Sequence, residues 1–200
     1  MRFRISQERQ IRRFATSWPL FWRRNYGKFD VQHLNYFTIL AVGRLLQQRV
    51  GGWRLMSAFS QTRDELVLSF AQLKGTRYFV SISCRGDVQY VCPTDSFGRS
   101  GSNVIELFEP VNGVLLESVQ IAALDRLLVL QFENESQLIL KLHGNRANVL
   151  LGEAREITQL FKSEHEDDWA HSNPELYDVD VPWSDLLHPV KAQIEAVEAG

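Results

Sequence analysis

The chain has 200 residues, 44% of them hydrophobic, which is enough for one globular domain, or one and a fraction, with a sizeable core. A formal net charge of -2 hides an asymmetry: residues 1–30 carry eight Lys and Arg against Glu8 and Asp30, and the remainder is acidic. No stretch approaches about 18 uninterrupted apolar residues, which excludes a spanning helix, and two cysteines, Cys84 and Cys92, make no disulfide framework.

Arg12, Arg13 and Arg23 interrupt any apolar core of a secretory signal, so a reduced, cytoplasmic compartment is expected. A basic arm on an acidic body suits an anionic partner, because Lys and Arg placed on a polyanion release its counterions. A solvated tail is the plainer alternative.

Residues 34–49, LNYFTILAVGRLLQQR, set Leu34, Phe37, Ala41 and Leu45 at helical spacing and run into VGG, a stop signal, which predicts an amphipathic helix. The period then changes to two. WRLMSAFSQ, DELVLSFAQ and TRYFVSISC alternate, with Leu66, Leu68 and Phe70 on one face and Tyr78, Val80 and Ile82 on one face of the next. Lys74-Gly75 and Arg85-Gly86-Asp87 are turn material between antiparallel strands, and the Arg-Gly-Asp triplet is read as a hairpin turn rather than an adhesion motif. A loop-and-helix stretch, FGRSGSNVIELFEPVNG, interrupts the strands. Four more follow at 114–121, 125–133, 137–143 and 148–152, with a fifth at 156–162.

The expected fold class is α+β, an antiparallel β-sandwich with flanking helices. Residues 164–183 are rich in acids and read as an exposed loop or linker. Residues 184–200 read as the start of a helical region, with Pro189 near its first turn or breaking it, so the chain resembles the front of something longer.

Four polar groups stand against the strands. Ser60-Gln61-Thr62-Arg63-Asp64-Glu65-Leu66 lies at a strand junction, where a turn closed by the Asp side chain is favoured over a site. Asp125-Arg126 heads a strand whose alternation would put the two on opposite faces unless a bulge or the strand end re-aims one; an ion pair between elements is the structural alternative. In KLHGNRANVLL, Gly144 can supply a positive φ, Asn145 and Asn148 can bond backbone or ligand, and Arg146 offers a planar fork for phosphate or a base edge. In FGRSGSN, Arg99 and Asn103 flank a Gly-Ser loop of the kind that approaches phosphate.

Signals for catalysis are thin. His165 and His171 lie among acids without metal-ligand spacing, and there is no paired-Cys, HExxH, G-x-S-x-G or Walker pattern, so no metal, cofactor or enzymatic activity is expected.

The ordered set of NYF, FSQTRDELVLSF, GRSGSNVIELF, LDRLLVLQF, LILKLHGNRANVLL and ITQLF resembles the NFACT-N domain over residues 32–163. That domain opens the NFACT proteins, ribosome-quality-control subunits also known as fibronectin-binding protein A homologues. The resemblance implies a fold like the N-terminal domain of formamidopyrimidine-type DNA glycosylases. It also implies a role on the large ribosomal subunit after a stall, holding tRNA, with no part for DNA or membrane. Asp125 and Arg126 match a pair tied to tRNA use in that family, and Gly144 and Asn148 match its second run, although Ala147 stands where many members have Ser. Residues contacting RNA are thus expected to be Arg99, Asp125, Arg126, Gly144, Arg146 and Asn148.

Residues 1–31 are extra relative to that family, a basic extension that a start at Val31 would remove, and its coiled coil and C-terminal RNA-binding domain do not occur in these 200 residues. Three other readings compete with the RNA-binding one. A glycosylase or lyase rests on fold kinship alone and lacks the N-terminal proline nucleophile, the first proline being Pro19. A surface adhesin conflicts with the missing signal sequence. A scaffold would use the polar runs only as turns and ion pairs.

Overall fold

Asn35 starts the helix: its side chain accepts the Thr38 backbone N–H at 2.9 Å and the Thr38 hydroxyl at 3.1 Å, satisfying one of the donors that a helix start leaves open. Helix α1 runs Tyr36–Val50 and stops where the Gly51 N–H returns to the Gln47 carbonyl, followed by Gly52 at φ +77°. The computed structural model describes residues 35–72, 75–100, 103–123, 125–154, 156–163 and 175–180, all within the compact unit Gln32–Gly200. The expected basic extension at 1–31, the helical region at 184–200 and the acidic run at 164–174 lie outside the described residues.

The buried side of α1 is not the stripe that the spacing picks out. Ile39, Leu40, Val42, Gly43, Leu46 and Val50 are buried, whereas Phe37 is 55% exposed and Ala41 and Leu45 are half-buried. Gly43 explains the rotation. A Cβ there would sit 2.8 Å from Leu128 Cδ1 and 2.8 Å from Val179 Cγ1, so the helix closes on its neighbours along its glycine line.

Eleven strands follow among the described residues: β1 (Arg54–Thr62), β2 (Glu65–Ala71), β3 (Arg77–Cys84), β4 (Gln89–Thr94), β5 (Ile105–Leu107), β6 (Leu116–Ala122), β7 (Leu127–Phe132), β8 (Gln137–Lys141), β9 (Asn148–Glu153), β10 (Glu156–Leu160) and β11 (Leu176–Asp178). They form two antiparallel sheets, a five-stranded one ordered β4-β3-β2-β1-β5 and a six-stranded one ordered β10-β9-β8-β7-β6-β11. With α1 this is an α+β fold. Backbone bonds stitch the sheets together at the start of β1, where Leu116 N–H reaches Trp53 O at 2.8 Å and Leu55 N–H reaches Val114 O at 3.0 Å.

Strand alternation holds as read, with Leu66 opposite Ile82 and Leu68 opposite Val80. The opposite faces are covered too, so central strands such as β2 and β7 are buried almost throughout. Three strands escape the sequence pattern: β4, of which the sequence signals only the Arg-Gly-Asp turn before it, and β5 and β11. β5 forms inside the stretch read as loop and helix; it has three residues and exposes Ile105, too little to display a period. β11 forms inside the stretch read as an acidic loop, where Leu176–Asp178 pair with β6 and Val179 is fully buried against α1. Its pairing partner lies far away in sequence, so local composition hides it.

Candidate nucleic-acid interface

β7 begins at Leu127, so Asp125 and Arg126 precede the ladder and strand alternation does not govern them. The Asp125 carboxylate accepts the backbone N–H of the next residue, Arg126, at 2.6 Å. The Arg126 carbonyl in turn accepts the Leu142 N–H at 3.0 Å, which ties this turn to the end of β8. His143 Nδ1 lies 3.4 Å from Asp125 Oδ1. The strand end thus does what the sequence allowed: it brings both members of the pair beside the β8–β9 connection.

That connection coils into a short 3-10 turn, Gly144–Arg146. Gly144 holds φ +64°, left-handed backbone that an L side chain strains to adopt, and it exposes Asn145 and Arg146 at the tip. Asn148, at the far end, is 1% exposed and points inward. Its Oδ1 accepts the Val149 N–H at 2.9 Å and the Lys162 N–H at 2.8 Å, while its Nδ2 donates to the Lys162 carbonyl at 2.9 Å. Both the oxygen and the nitrogen of its amide bond to backbone, so it shapes the loop.

Lys162 continues the lock into the first sheet. Its Nζ donates to the Cys84 carbonyl at 2.6 Å and pairs with the Asp64 carboxylate at 2.5 Å, in a site where the lysine side chain is 15% exposed. Asp64 belongs to the SQTRDEL turn; its carbonyl accepts the Cys84 N–H at 2.8 Å, and its carboxylate serves Lys162 rather than its own backbone. Burial pushes the Cys84 thiol up to about 12, with Lys162 opposing the shift and Asp64 adding to it, so the thiol stays protonated at neutral pH. Lys162 carries no sequence signal: it is one lysine at a strand end, ahead of an acidic run.

The Arg-Gly-Asp triplet is the β3–β4 hairpin turn. Arg85 closes on Asp87 bidentately, Nε to Oδ1 at 2.7 Å and Nη2 to Oδ2 at 2.5 Å, and this hydrogen bonding holds the Asp87 carboxyl down to about 2. The turn packs against the β8–β9 loop. A Cβ on Gly86 would lie 3.3 Å from Asn145 Oδ1, and Gln89 Nε2 donates to the Gly144 carbonyl at 2.5 Å.

Arg99 is placed differently. Its guanidinium pairs with Glu106 and lies 4.6 Å from the Phe59 ring centroid on the first sheet, where Gln61 bonds both Gly98 and Ser100 of its loop. The structure therefore gathers Asp125, Arg126, Gly144, Arg146 and Asn148 at one end of the second sheet, and anchors Arg99 among separate contacts. Among the described residues no group of three or more His, Cys, Asp or Glu is arranged to hold a metal ion, and no helix is long and apolar enough to cross a membrane.

No protein-family model matches the chain, and no curated protein matches it. Solved structures do. The N-terminal part of the fibronectin/fibrinogen-binding protein from Streptococcus suis superposes with a TM-score of 0.56 at 16% identity, covering 65% of this chain and 54% of that one. The N-terminal domain of fibronectin-binding protein PavA from Streptococcus pneumoniae gives 0.54 at 18% identity, covering 65% and 54%. The fibrinogen-binding protein from Staphylococcus aureus gives 0.50 at 16% identity, covering 62% and 49%. This is the fold of those N-terminal domains. The likeness is consistent with the NFACT-N-like domain read from the ordered motifs, and the chain spans about half the length of each structure it matches.

Proposed function

We propose that the chain is a non-enzymatic RNA-binding module of a ribosome-associated quality-control factor, working in the cytoplasm and contacting tRNA and the large ribosomal subunit on stalled complexes. The observation that carries this reading is the meeting of Asp125, Arg126, His143 and Arg146 at one strand end, on turns that the Asn148–Lys162 lock holds in place. Guanidinium forks suit phosphate oxygens and base edges, and the Asp125 carboxylate suits an exocyclic amine. Stacking of the two sheets as a sandwich, and kinship with the N-terminal domain of formamidopyrimidine-type glycosylases, belong to the same reading.

Replacing Asp125→Ala together with Arg126→Ala in the full-length protein should abolish its co-sedimentation with large ribosomal subunits and its recovery of tRNA. Undiminished association would refute the assignment. A second reading follows from what the similar structures are called: a fibronectin or fibrinogen contact. Immobilised fibronectin that retains the purified chain, with tRNA failing to compete, would favour it.

A further inference from the structure

The β3–β4 turn touches the loop that carries Arg146, yet its own arginine has no part in the reading above. Gly86 lies against Asn145, each the chain neighbour of an arginine, so the Cα atoms of Arg85 and Arg146 are within about 13 Å of each other by chain geometry. Gln89 fixes that approach by donating to the Gly144 carbonyl. Arg85 differs from a buried structural arginine in one respect: its side chain is 56% exposed and its partner Asp87 is 65% exposed. An ion pair this open to water contributes little to stability and exchanges readily for another anion. A phosphate would offer the same fork the same bidentate geometry.

We propose that Arg85 extends the RNA-binding face onto the first sheet, and that Asp87 holds its guanidinium closed until an RNA phosphate displaces the carboxylate. The inference rests on the RNA-binding reading of Asp125, Arg126 and Arg146. It adds that the face crosses both sheets and that one of its cations is neutralised in the unbound protein. No covalent step is involved; the guanidinium trades one oxyanion for another.

The test is fluorescence anisotropy of an end-labelled tRNA transcript, titrated with the protein over a range of salt. The double variant Arg85→Ala with Asp87→Ala leaves net charge unchanged. If Arg85 contacts phosphate, this variant should bind about fivefold to tenfold more weakly, with a log–log salt slope shallower by about 1. Asp87→Asn should bind a few-fold more tightly than the wild type. Thermal melts of both variants check that the turn survives. If the double variant binds like the wild type with the same slope, the pair is only a turn clip and the extension is overturned. Arg126→Ala with Arg146→Ala separates the two ideas. If that variant loses affinity while the Arg85 variants do not, the RNA-binding reading stands and only the extension falls. If wild-type protein does not bind the transcript, both fall.

Discussion

Two groups of polar residues meet at the same end of the molecule and behave in opposite ways. Asn148, Lys162 and Asp64 turn inward, with their amide, ammonium and carboxylate groups matched to backbone or to each other. Asp125, Arg126, His143 and Arg146 lie on turns at or near the surface, where the Asp125 carboxylate accepts the Arg126 N–H and lies 3.4 Å from His143 Nδ1. The first group is a lock that fixes the turns; the second is what the turns present. On the RNA-binding reading proposed above, neighbouring residues of one motif divide between shape and recognition, and a comparison of their variants can separate the roles.

The sharpest break should come from Asn148→Ala. It strands two backbone N–H groups and one carbonyl in a buried site, and about 3 kcal/mol of lost stability is expected from urea unfolding. A loss below about 1 kcal/mol would mean that the lock is dispensable. Next comes pH. Cys84 has a folded value raised from an ordinary 9.0 to about 12, so its neutral form stabilises the fold fully below pH 9. That contribution should decline between pH 9 and 12, because the unfolded chain releases the thiol proton first. The expected maximum slope for one such group is about 1.4 kcal/mol per pH unit. Cys84→Ala should flatten the decline, and a slope as steep as wild type would contradict the assignment.

Gly144→Ala, which forces a Cβ into φ +64°, should cost about 1 kcal/mol and weaken RNA binding by reshaping the tip. Smallest in stability is Arg146→Ala, expected within about 0.5 kcal/mol of wild type while still lowering affinity for tRNA. A large stability loss there would move Arg146 into the lock.

Much of this was legible in the sequence, for reasons that also explain the remainder. Short apolar runs bounded by turn residues announce β1, β2, β3 and β6 to β10, although strands covered on both faces, such as β2 and β7, show little alternation in burial. The helix is legible from its spacing and its VGG stop, but its inward face is not, since packing at Gly43 rather than side-chain apolarity sets the rotation. β5 and β11 are too short for a period and depend on distant partners. At the site, Asp125, Arg126 and Gly144 stand out as motif residues, and the need for a positive φ at Gly144 follows from its residue type alone. Arg99 is legible from the phosphate-loop composition of its loop, but its contacts with Glu106 and the Phe59 ring are not, because both come from tertiary packing. Lys162 and its bridge to Asp64 could not be read at all, because a single long-range ion pair leaves no local pattern.

The most direct test of the division between lock and recognition pairs two readouts on one sample: tRNA affinity by anisotropy and the urea unfolding midpoint, for Arg126→Ala with Arg146→Ala. The account predicts a loss of affinity of about tenfold or more, on the order of the 1–3 kcal/mol that a specific contact contributes, with the midpoint close to wild type. Unchanged affinity, or a fall in affinity that merely tracks a fall in the midpoint, would contradict it.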